Sequence, residues 1–174
     1  MSESIVEFTV DGVDTPVKTW YKVFGDLKAP GRRPLVALHG GPGAVHNYML
    51  ALADLVDTHG VPVVVYDQLG NGNSTHLPDK MGDTAFWSEA LFIKQLMHLL
   101  EHLGIQDDFD LLGHSWGGML AARFATMQPK GLKHLVVSDS PASMKLWIEA
   151  ANKLRAQLPP DVQVCACPCT LSPR

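Results

Sequence analysis

The hydrophobic positions of the chain alternate between short runs rich in apolar residues, wholly apolar at 35–38, and longer segments in which apolar residues recur at helical spacing. The apolar runs predict six strands, over residues 5–10, 17–24, 35–38, 63–66, 109–112 and 135–137. The longer segments predict four helices, over residues 47–58, 86–103, 117–127 and 144–158. A turn signal between the first two strands predicts an antiparallel hairpin. The later alternation of strand and helix predicts an α/β fold, with a mostly parallel sheet covered by helices on both faces.

The composition is typical of one globular domain, with 46% apolar and 18% charged residues among 174. The formal net charge of −4 offers no basic surface to a polyanion and argues against a nucleic-acid partner. No apolar run reaches the ~18 residues of a membrane span, and the first residues lack the pattern of a signal peptide. We therefore expect a cytoplasmic protein with no membrane association, and the composition leaves the oligomeric state open.

The strongest chemical signal is Gly-His-Ser-Trp-Gly at residues 113–117, between a predicted strand and a predicted helix. In that context, Gly-x-Ser-x-Gly is typical of a nucleophile elbow, a sharp turn that lifts a serine hydroxyl above the sheet. Glycines two residues before and two residues after Ser115 leave the room that such a turn needs. The start of the following helix also directs free N–H groups at a developing anion. The pattern favours an elbow at Ser115 over a chance loop sequence.

Two further loops follow predicted strands and carry glycine-rich sequences. His-Gly-Gly-Pro-Gly at residues 39–43 lets the backbone approach a substrate carbonyl and point an N–H at it. Together with the N–H of Trp116, this arrangement predicts an oxyanion hole with two donors. The third loop, residues 67–74, begins with Asp67, and we interpret it as a scaffold that Asp67 braces through hydrogen bonds.

In this order, His-Gly-Gly-Pro-Gly, Asp-Gln-x-Gly-x-Gly-x-Ser and Gly-x-Ser-Trp-Gly-Gly resemble the motifs of the proline iminopeptidases, serine peptidases of the α/β-hydrolase fold. The resemblance covers about residues 3–163. The residues of the second motif are similar to those of the fungal members, some of which are described as amino-acid amidases. It implies Ser115 as the catalytic nucleophile, Gly41 and Trp116 as backbone oxyanion donors, and no cofactor. The implied substrate is a peptide or amino-acid amide with a free N-terminal residue, often proline. Six residues are expected to support the site from its loops: His39, Gly40, Gly43, Asp67, Gly113 and Gly117.

The resemblance also implies how the chain is organised. Residues 1–142 correspond to the N-terminal part of the α/β-hydrolase core, and residues 143–163 to the start of its helical cap. The fold is then truncated after about the sixth strand and the first cap helix. Residues 164–174 hold all three cysteines, Cys165, Cys167 and Cys169, and change composition abruptly. We interpret them as an aberrant, disordered tail that arises from intron read-through or a shifted reading frame. The alternatives are a genuine short isoform and a metal site, although the spacing of the cysteines is poor for a metal site.

A serine needs a base to take its proton and an acid to orient that base, and in this fold both follow the nucleophile in the chain. The one histidine after Ser115 is His134, which precedes the last predicted strand and so belongs at the opposite end of the sheet. His39 and His114 are expected to be loop histidines rather than the base. Asp139 is placed to face the site but is expected to have no histidine to orient.

Three functions follow from these observations. The leading one is a serine peptidase of the proline iminopeptidase type, which is inactive in this chain because the base and acid are missing. The second is an esterase or amidase of the same fold, since an elbow alone does not select peptides. The third is a non-catalytic fragment that binds a partner, because a sheet that ends at residues 135–137 leaves an unpaired edge.

Overall fold

The computed structural model describes residues 1–165, and the sheet and helices that it contains confirm the predicted α/β fold. The strands are β1 (Ser2–Phe8), β2 (Val17–Phe24), β3 (Leu35–Leu38), β4 (Val63–Tyr66), β5 (Phe109–His114) and β6 (Leu132–Ser138). The α-helices are α1 (Asp54–His59), α2 (Glu89–Leu103), α3 (Trp116–Ala125), α4 (Met144–Arg155) and α5 (Pro160–Cys165). Two 3-10 helices, His46–Ala53 and Pro78–Lys80, lie in the connections.

The six strands form one sheet in the order β1-β2-β4-β3-β5-β6. Strands β3 to β6 run parallel, whereas β2 pairs antiparallel with both β1 and β4. Parallel strands bring their carboxyl ends to the same edge of a sheet, which is where ligands bind in α/β folds. The loops that follow β3, β4 and β5 therefore meet at one end of the sheet.

The central strands are buried on both faces, as their wholly apolar sequences predict. Val36, Leu38, Val64 and Tyr66 pack into a large cluster that contains the apolar side of α2. The residues that alternate with them, including Leu35, point to the opposite face and pack against the segment before β4. The sheet is thus the middle layer of three, and it holds the strand ends rigidly in place.

The structure corrects several predicted boundaries. The helix predicted over residues 86–103 begins at Glu89, because Asp83 Oδ1 accepts hydrogen bonds from the N–H groups of Ala85 and Phe86 and forms a turn there. The helix predicted over residues 47–58 is a 3-10 helix in its first half. Strand β6 begins three residues earlier than predicted, since an edge strand accommodates polar residues such as Lys133.

The chain divides into two compact units, the first covering Met1–Ser140 and the second beginning at Pro141. In the second unit, α4 ends at Arg155 rather than at residue 158, and α5 continues to Cys165, into the segment predicted as a tail. Cys167 and Cys169 lie outside the described residues. None of the helices within residues 1–165 is long and apolar enough to cross a bilayer.

Candidate active site

Ser115 lies on a sharp turn between the end of β5 and the start of α3. Its backbone has φ 53° and ψ −119°, in a region that residues other than glycine rarely occupy. Hydrogen bonds hold this conformation from several sides. The Ser115 N–H donates to the Ser138 carbonyl at 2.9 Å, and the Ser115 carbonyl accepts from Ser140 Oγ at 2.8 Å and from the Gly118 N–H at 3.0 Å. This is the local geometry that a nucleophile elbow requires.

The glycines around Ser115 are required by close backbone packing. A Cβ atom on Gly113 would collide with the backbone of Gly117, and one on Gly117 would collide with the carbonyl groups of Leu38 and His39. A side chain at either position would therefore push α3 away from β5 or from the loop after β3. The two glycines allow the strand, the turn and the helix to approach as closely as they do.

The loop after β3 runs directly beside Ser115. A Cβ atom on Gly40 would lie 3.0 Å from Ser115 Cβ and 3.1 Å from the His114 carbonyl. Gly41 and Gly43 have φ values of 119° and 112°, which glycine adopts without strain. Within the described residues, the N–H of Gly41 donates no hydrogen bond, and neither does that of Trp116. Both donors are free to meet a ligand.

His39 is buried, and both of its ring nitrogens are engaged by the backbone. Nδ1–H donates to the Gly40 carbonyl at 3.0 Å, and Nε2 accepts from the Gln68 N–H at 2.9 Å. Burial lowers the pKa of His39, since a charged imidazole would lose its hydration there. The neutral ring therefore holds the loop after β3 to the loop after β4 and has no free nitrogen for a substrate proton.

Gln68 is a site residue that the sequence interpretation missed. Its side-chain Nε2 donates to the His39 carbonyl at 2.9 Å, and its Oε1 accepts from Trp116 Nε1 at 3.0 Å. The side chain is fully buried and connects all three motif loops. Its place directly after Asp67 in the quoted motif was the available signal.

Asp67 is buried and braces the loop after β4. Oδ1 accepts hydrogen bonds from the N–H and from Nδ1 of His46, both at 2.9 Å, and Oδ2 accepts from the Asn73 N–H at 2.9 Å. A Cβ atom on Gly72 would collide with the Asp67 carboxylate, so glycine is needed at the bend. These contacts hold the loop in shape and direct the carboxylate away from bulk water.

The expectation that Asp139 has no neighbouring histidine is wrong. His114 Nε2 lies 3.8 Å from Asp139 Oδ2, because β6 runs parallel to β5 and pairs Ser138 with His114. Nδ1 of His114 lies 3.0 Å from the hydroxyl of Tyr48, which also accepts a hydrogen bond from the Gly40 N–H at 2.6 Å. Tyr48, unlike Gln68, lies outside the three sequence motifs. It links the loop after β3 to the end of β5.

His134 lies within β6, not before it, and is at the amino end of the sheet as expected. Its Nδ1 lies 2.9 Å from Asp110 Oδ1, and Arg33 Nη1 lies 3.5 Å from the same oxygen. A hydrogen bond from Arg33 to Asp108 raises the pKa of the arginine. This cluster joins the starts of β3, β5 and β6, and it is separated from Ser115 by the length of a strand.

Two of the clefts on the first unit bear on the location of the site. The larger, of about 1090 Å³, lies between β1, α2 and α3 and includes none of the predicted site residues. The smaller, of about 220 Å³, lies beside the residue before Ser115. It is lined by Tyr48, Met49, Ala51, Leu52, Leu112, His114 and Ser138. Among the side chains of residues 1–163, no group of three or more His, Cys, Asp or Glu is placed to hold a metal ion.

The site combines a serine at positive φ, between a strand and a helix, with two free N–H groups at the carboxyl end of a parallel sheet. This combination is typical of α/β hydrolases. Residues 33–166 match the model of the alpha/beta hydrolase fold family, and the chain belongs to that family.

Within that family, the chain is similar to proline iminopeptidases. It is 42% identical over 147 residues to the proline iminopeptidase of Lactobacillus delbrueckii subsp. lactis, covering 84% of this chain and 48% of that protein. It also resembles the crystal structure of the proline iminopeptidase of Mycobacterium smegmatis, with 44% identity, a TM-score of 0.78 and coverage of 92% and 52%. The crystal structure of VinJ matches with 50% identity, a TM-score of 0.82 and coverage of 92% and 51%. The chain spans about half the length of the curated relatives it matches.

Proposed function

We propose that this chain carries the nucleophile and oxyanion hole of a serine hydrolase of the proline iminopeptidase type. Such an enzyme releases an unblocked N-terminal residue, often proline, from a peptide or an amino-acid amide. The observation that carries the proposal is the position of Ser115, on a turn at positive φ and beside Gly40, together with the N–H groups of Gly41 and Trp116, which donate no hydrogen bond among the described residues. The identity to named proline iminopeptidases supports this choice within the α/β hydrolases.

The proposed chemistry assigns one role to each part of the site. Ser115 Oγ loses its proton to a base and attacks the carbonyl carbon of the scissile amide, which gives a tetrahedral intermediate. The N–H groups of Gly41 and Trp116 donate to the oxyanion of that intermediate. Collapse expels the amine with a proton from the base, and water then hydrolyses the acyl-enzyme. His39, Gln68 and Asp67 keep the three loops at the distances that this geometry needs.

Within residues 1–165, no histidine nitrogen forms a hydrogen bond with the Ser115 hydroxyl, so no base is in place. His39 has both nitrogens bonded to backbone, His134 lies at the other end of the sheet, and His114 is engaged by Tyr48 and Asp139. Loss of triad members lowers turnover by up to about a million-fold. We therefore expect the 174-residue chain to release no product above background.

The test is release of p-nitroaniline from proline and alanine p-nitroanilides by the purified chain. Ser115→Ala serves as the matched control, and the proline iminopeptidase of L. delbrueckii serves as the positive control. We expect equal, background rates for both forms of this chain. A clear rate that disappears in Ser115→Ala would keep Ser115 as the nucleophile but overturn the inactivity, and it would point to His114 as the base.

A further inference from the structure

Two consecutive peptide groups lead from His39 through Gly40 to Gly41, and side chains bind three of their four polar groups. In the first peptide, the His39 carbonyl accepts a hydrogen bond from Gln68 Nε2 at 2.9 Å. The N–H of the same peptide belongs to Gly40 and donates to the Tyr48 hydroxyl at 2.6 Å. In the second peptide, the Gly40 carbonyl accepts from His39 Nδ1–H at 3.0 Å. The fourth group, the Gly41 N–H, donates no hydrogen bond among the described residues.

The partners of His39 determine which of its ring nitrogens carries the proton. Nε2 lies 2.9 Å from the backbone nitrogen of Gln68, which can only donate, so Nε2 accepts. The proton of the neutral ring is then on Nδ1, where it meets the Gly40 carbonyl, which can only accept. Burial of the ring lowers its pKa and favours this neutral form. One tautomer therefore satisfies both contacts, and the other satisfies neither.

The direction of the Gly40 carbonyl sets the direction of the Gly41 N–H. The bond between the two residues is trans, and a planar trans peptide directs its C=O and N–H groups to opposite sides. Because the carbonyl is turned toward the imidazole of His39, the Gly41 N–H is turned away from it. If the peptide rotated by half a turn, the N–H would point at the ring and would be lost to a substrate.

The glycines at this point make the side-chain contacts necessary. Gly40 must lack a side chain, since a Cβ atom there would lie 3.0 Å from Ser115 Cβ, and Gly41 has a φ of 119°. Residues without a Cβ atom rotate most freely, so the backbone alone does not fix the peptide between them. The direction matters for turnover, because the loss of one oxyanion donor lowers kcat about 100- to 1000-fold.

We infer that His39 and Tyr48 are positioning residues, which together hold the Gly41 N–H in the direction that an oxyanion hole requires. His39 fixes the peptide that contains this N–H, and Tyr48 fixes the peptide before it. The use of the N–H as an oxyanion donor rests on the proposed function, whereas its direction is a property of the folded chain.

The direction of the Gly41 N–H is measured by its residual dipolar coupling in the full, weakly aligned chain, which requires no turnover. His39→Asn keeps an amide donor near the position of Nδ1, whereas His39→Gln moves the amide toward the position of Nε2 and leaves the Gly40 carbonyl without its donor. We expect the unsubstituted chain to show a coupling that matches an N–H antiparallel to the Gly40 carbonyl. His39→Asn should retain that coupling and His39→Gln should lose it, whereas a role limited to filling the core predicts equal couplings, which would overturn the role of His39.

The tautomer of His39 is tested without a substitution. Two-bond nitrogen–proton correlations of the imidazole show which ring nitrogen carries the proton in the unsubstituted chain. We expect the proton on Nδ1. A proton on Nε2 would overturn the inference, whether or not the variants of His39 fold.

Amide hydrogen exchange tests the role of Tyr48. Tyr48→Phe removes the acceptor of the Gly40 N–H and should speed the exchange of that amide about tenfold. The matched control is Tyr21→Phe, which also loses a hydrogen bond to a histidine, His102, and should leave the exchange at Gly40 unchanged. No change in Tyr48→Phe, or an equal change in the control, would overturn the role of Tyr48. Activity that survives Ser115→Ala would contradict the proposed function without altering any of these measurements.

Discussion

The side chain of Gln68 offers a direct test of how the three motif loops are held together. Gln68→Ala removes the donor to the His39 carbonyl and the acceptor for Trp116 Nε1, which lie at 2.9 and 3.0 Å. A buried polar group that loses its partner costs about 1–3 kcal/mol, so the two groups together predict a loss of roughly 2–6 kcal/mol. That is a large fraction of the about 5–15 kcal/mol that stabilises a typical domain.

The assay is urea unfolding followed by tryptophan fluorescence, with the free energy of unfolding extrapolated to zero denaturant. The matched control is Gln106→Ala, an exposed glutamine whose side chain donates a hydrogen bond to the neighbouring Asp107, and its effect should lie within about 0.5 kcal/mol of zero. Gln68→Glu should destabilise at least as much as Gln68→Ala, because it places a buried carboxylate against the His39 carbonyl oxygen. A change below about 0.5 kcal/mol for Gln68→Ala would refute the role assigned to this side chain.

Three further predictions use the same unfolding measurement. Tyr66→Phe should leave stability unchanged or raise it by about 1–3 kcal/mol, since the buried hydroxyl has no partner within the described residues. Tyr21→Phe is the control and should lower stability by about 0.5–1.5 kcal/mol, because it removes a hydrogen bond to His102. A larger loss for Tyr66→Phe than for Tyr21→Phe would contradict the structure. Gly117→Ala should prevent folding or greatly destabilise it, while Gly31→Ala, where a Cβ meets nothing within 4 Å, should lose only about 1 kcal/mol to its positive φ. The pKa of His39 is lowered in the folded state, so the unfolded chain binds more protons than the folded chain as the pH drops below about 6.5. The free energy of unfolding should therefore decrease as the pH is lowered through that range, and His39→Gln should make the decrease shallower.

The sequence predicted the central strands well because each is a wholly apolar run between loop residues. The bounds of β3 and β4 agree with the predicted residues 35–38 and 63–66. The bounds of β6 were less accurate, since Lys133 and His134 lie at an exposed edge where no apolar pattern is needed. Local periodicity reports burial, and it therefore misses strand residues that are not buried.

The motif residues were predictable for a similar reason, and their partners were not. Glycines at positions 113 and 117 are required by backbone contacts within a few residues or at the adjacent strand end, so they leave a short, recognisable sequence pattern. Tyr48 and Gln68 act across 66 and 48 residues, on His114 and Trp116 respectively. Contacts at that separation depend on the assembled sheet, so the sequence does not show which residues they join, even though Gln68 itself lies in a motif.

The central proposal is that Ser115 is the nucleophile of a serine hydrolase, and that its base and acid are supplied by residues other than those that the structure describes. The most direct measurement joins residues 1–163 to the part of the L. delbrueckii proline iminopeptidase that follows its matched region, and follows release of p-nitroaniline from proline p-nitroanilide. A cooperative thermal melt establishes that the chimera is folded. We predict activity that Ser115→Ala abolishes. A folded chimera with no activity, or with activity that survives Ser115→Ala, would contradict the claim.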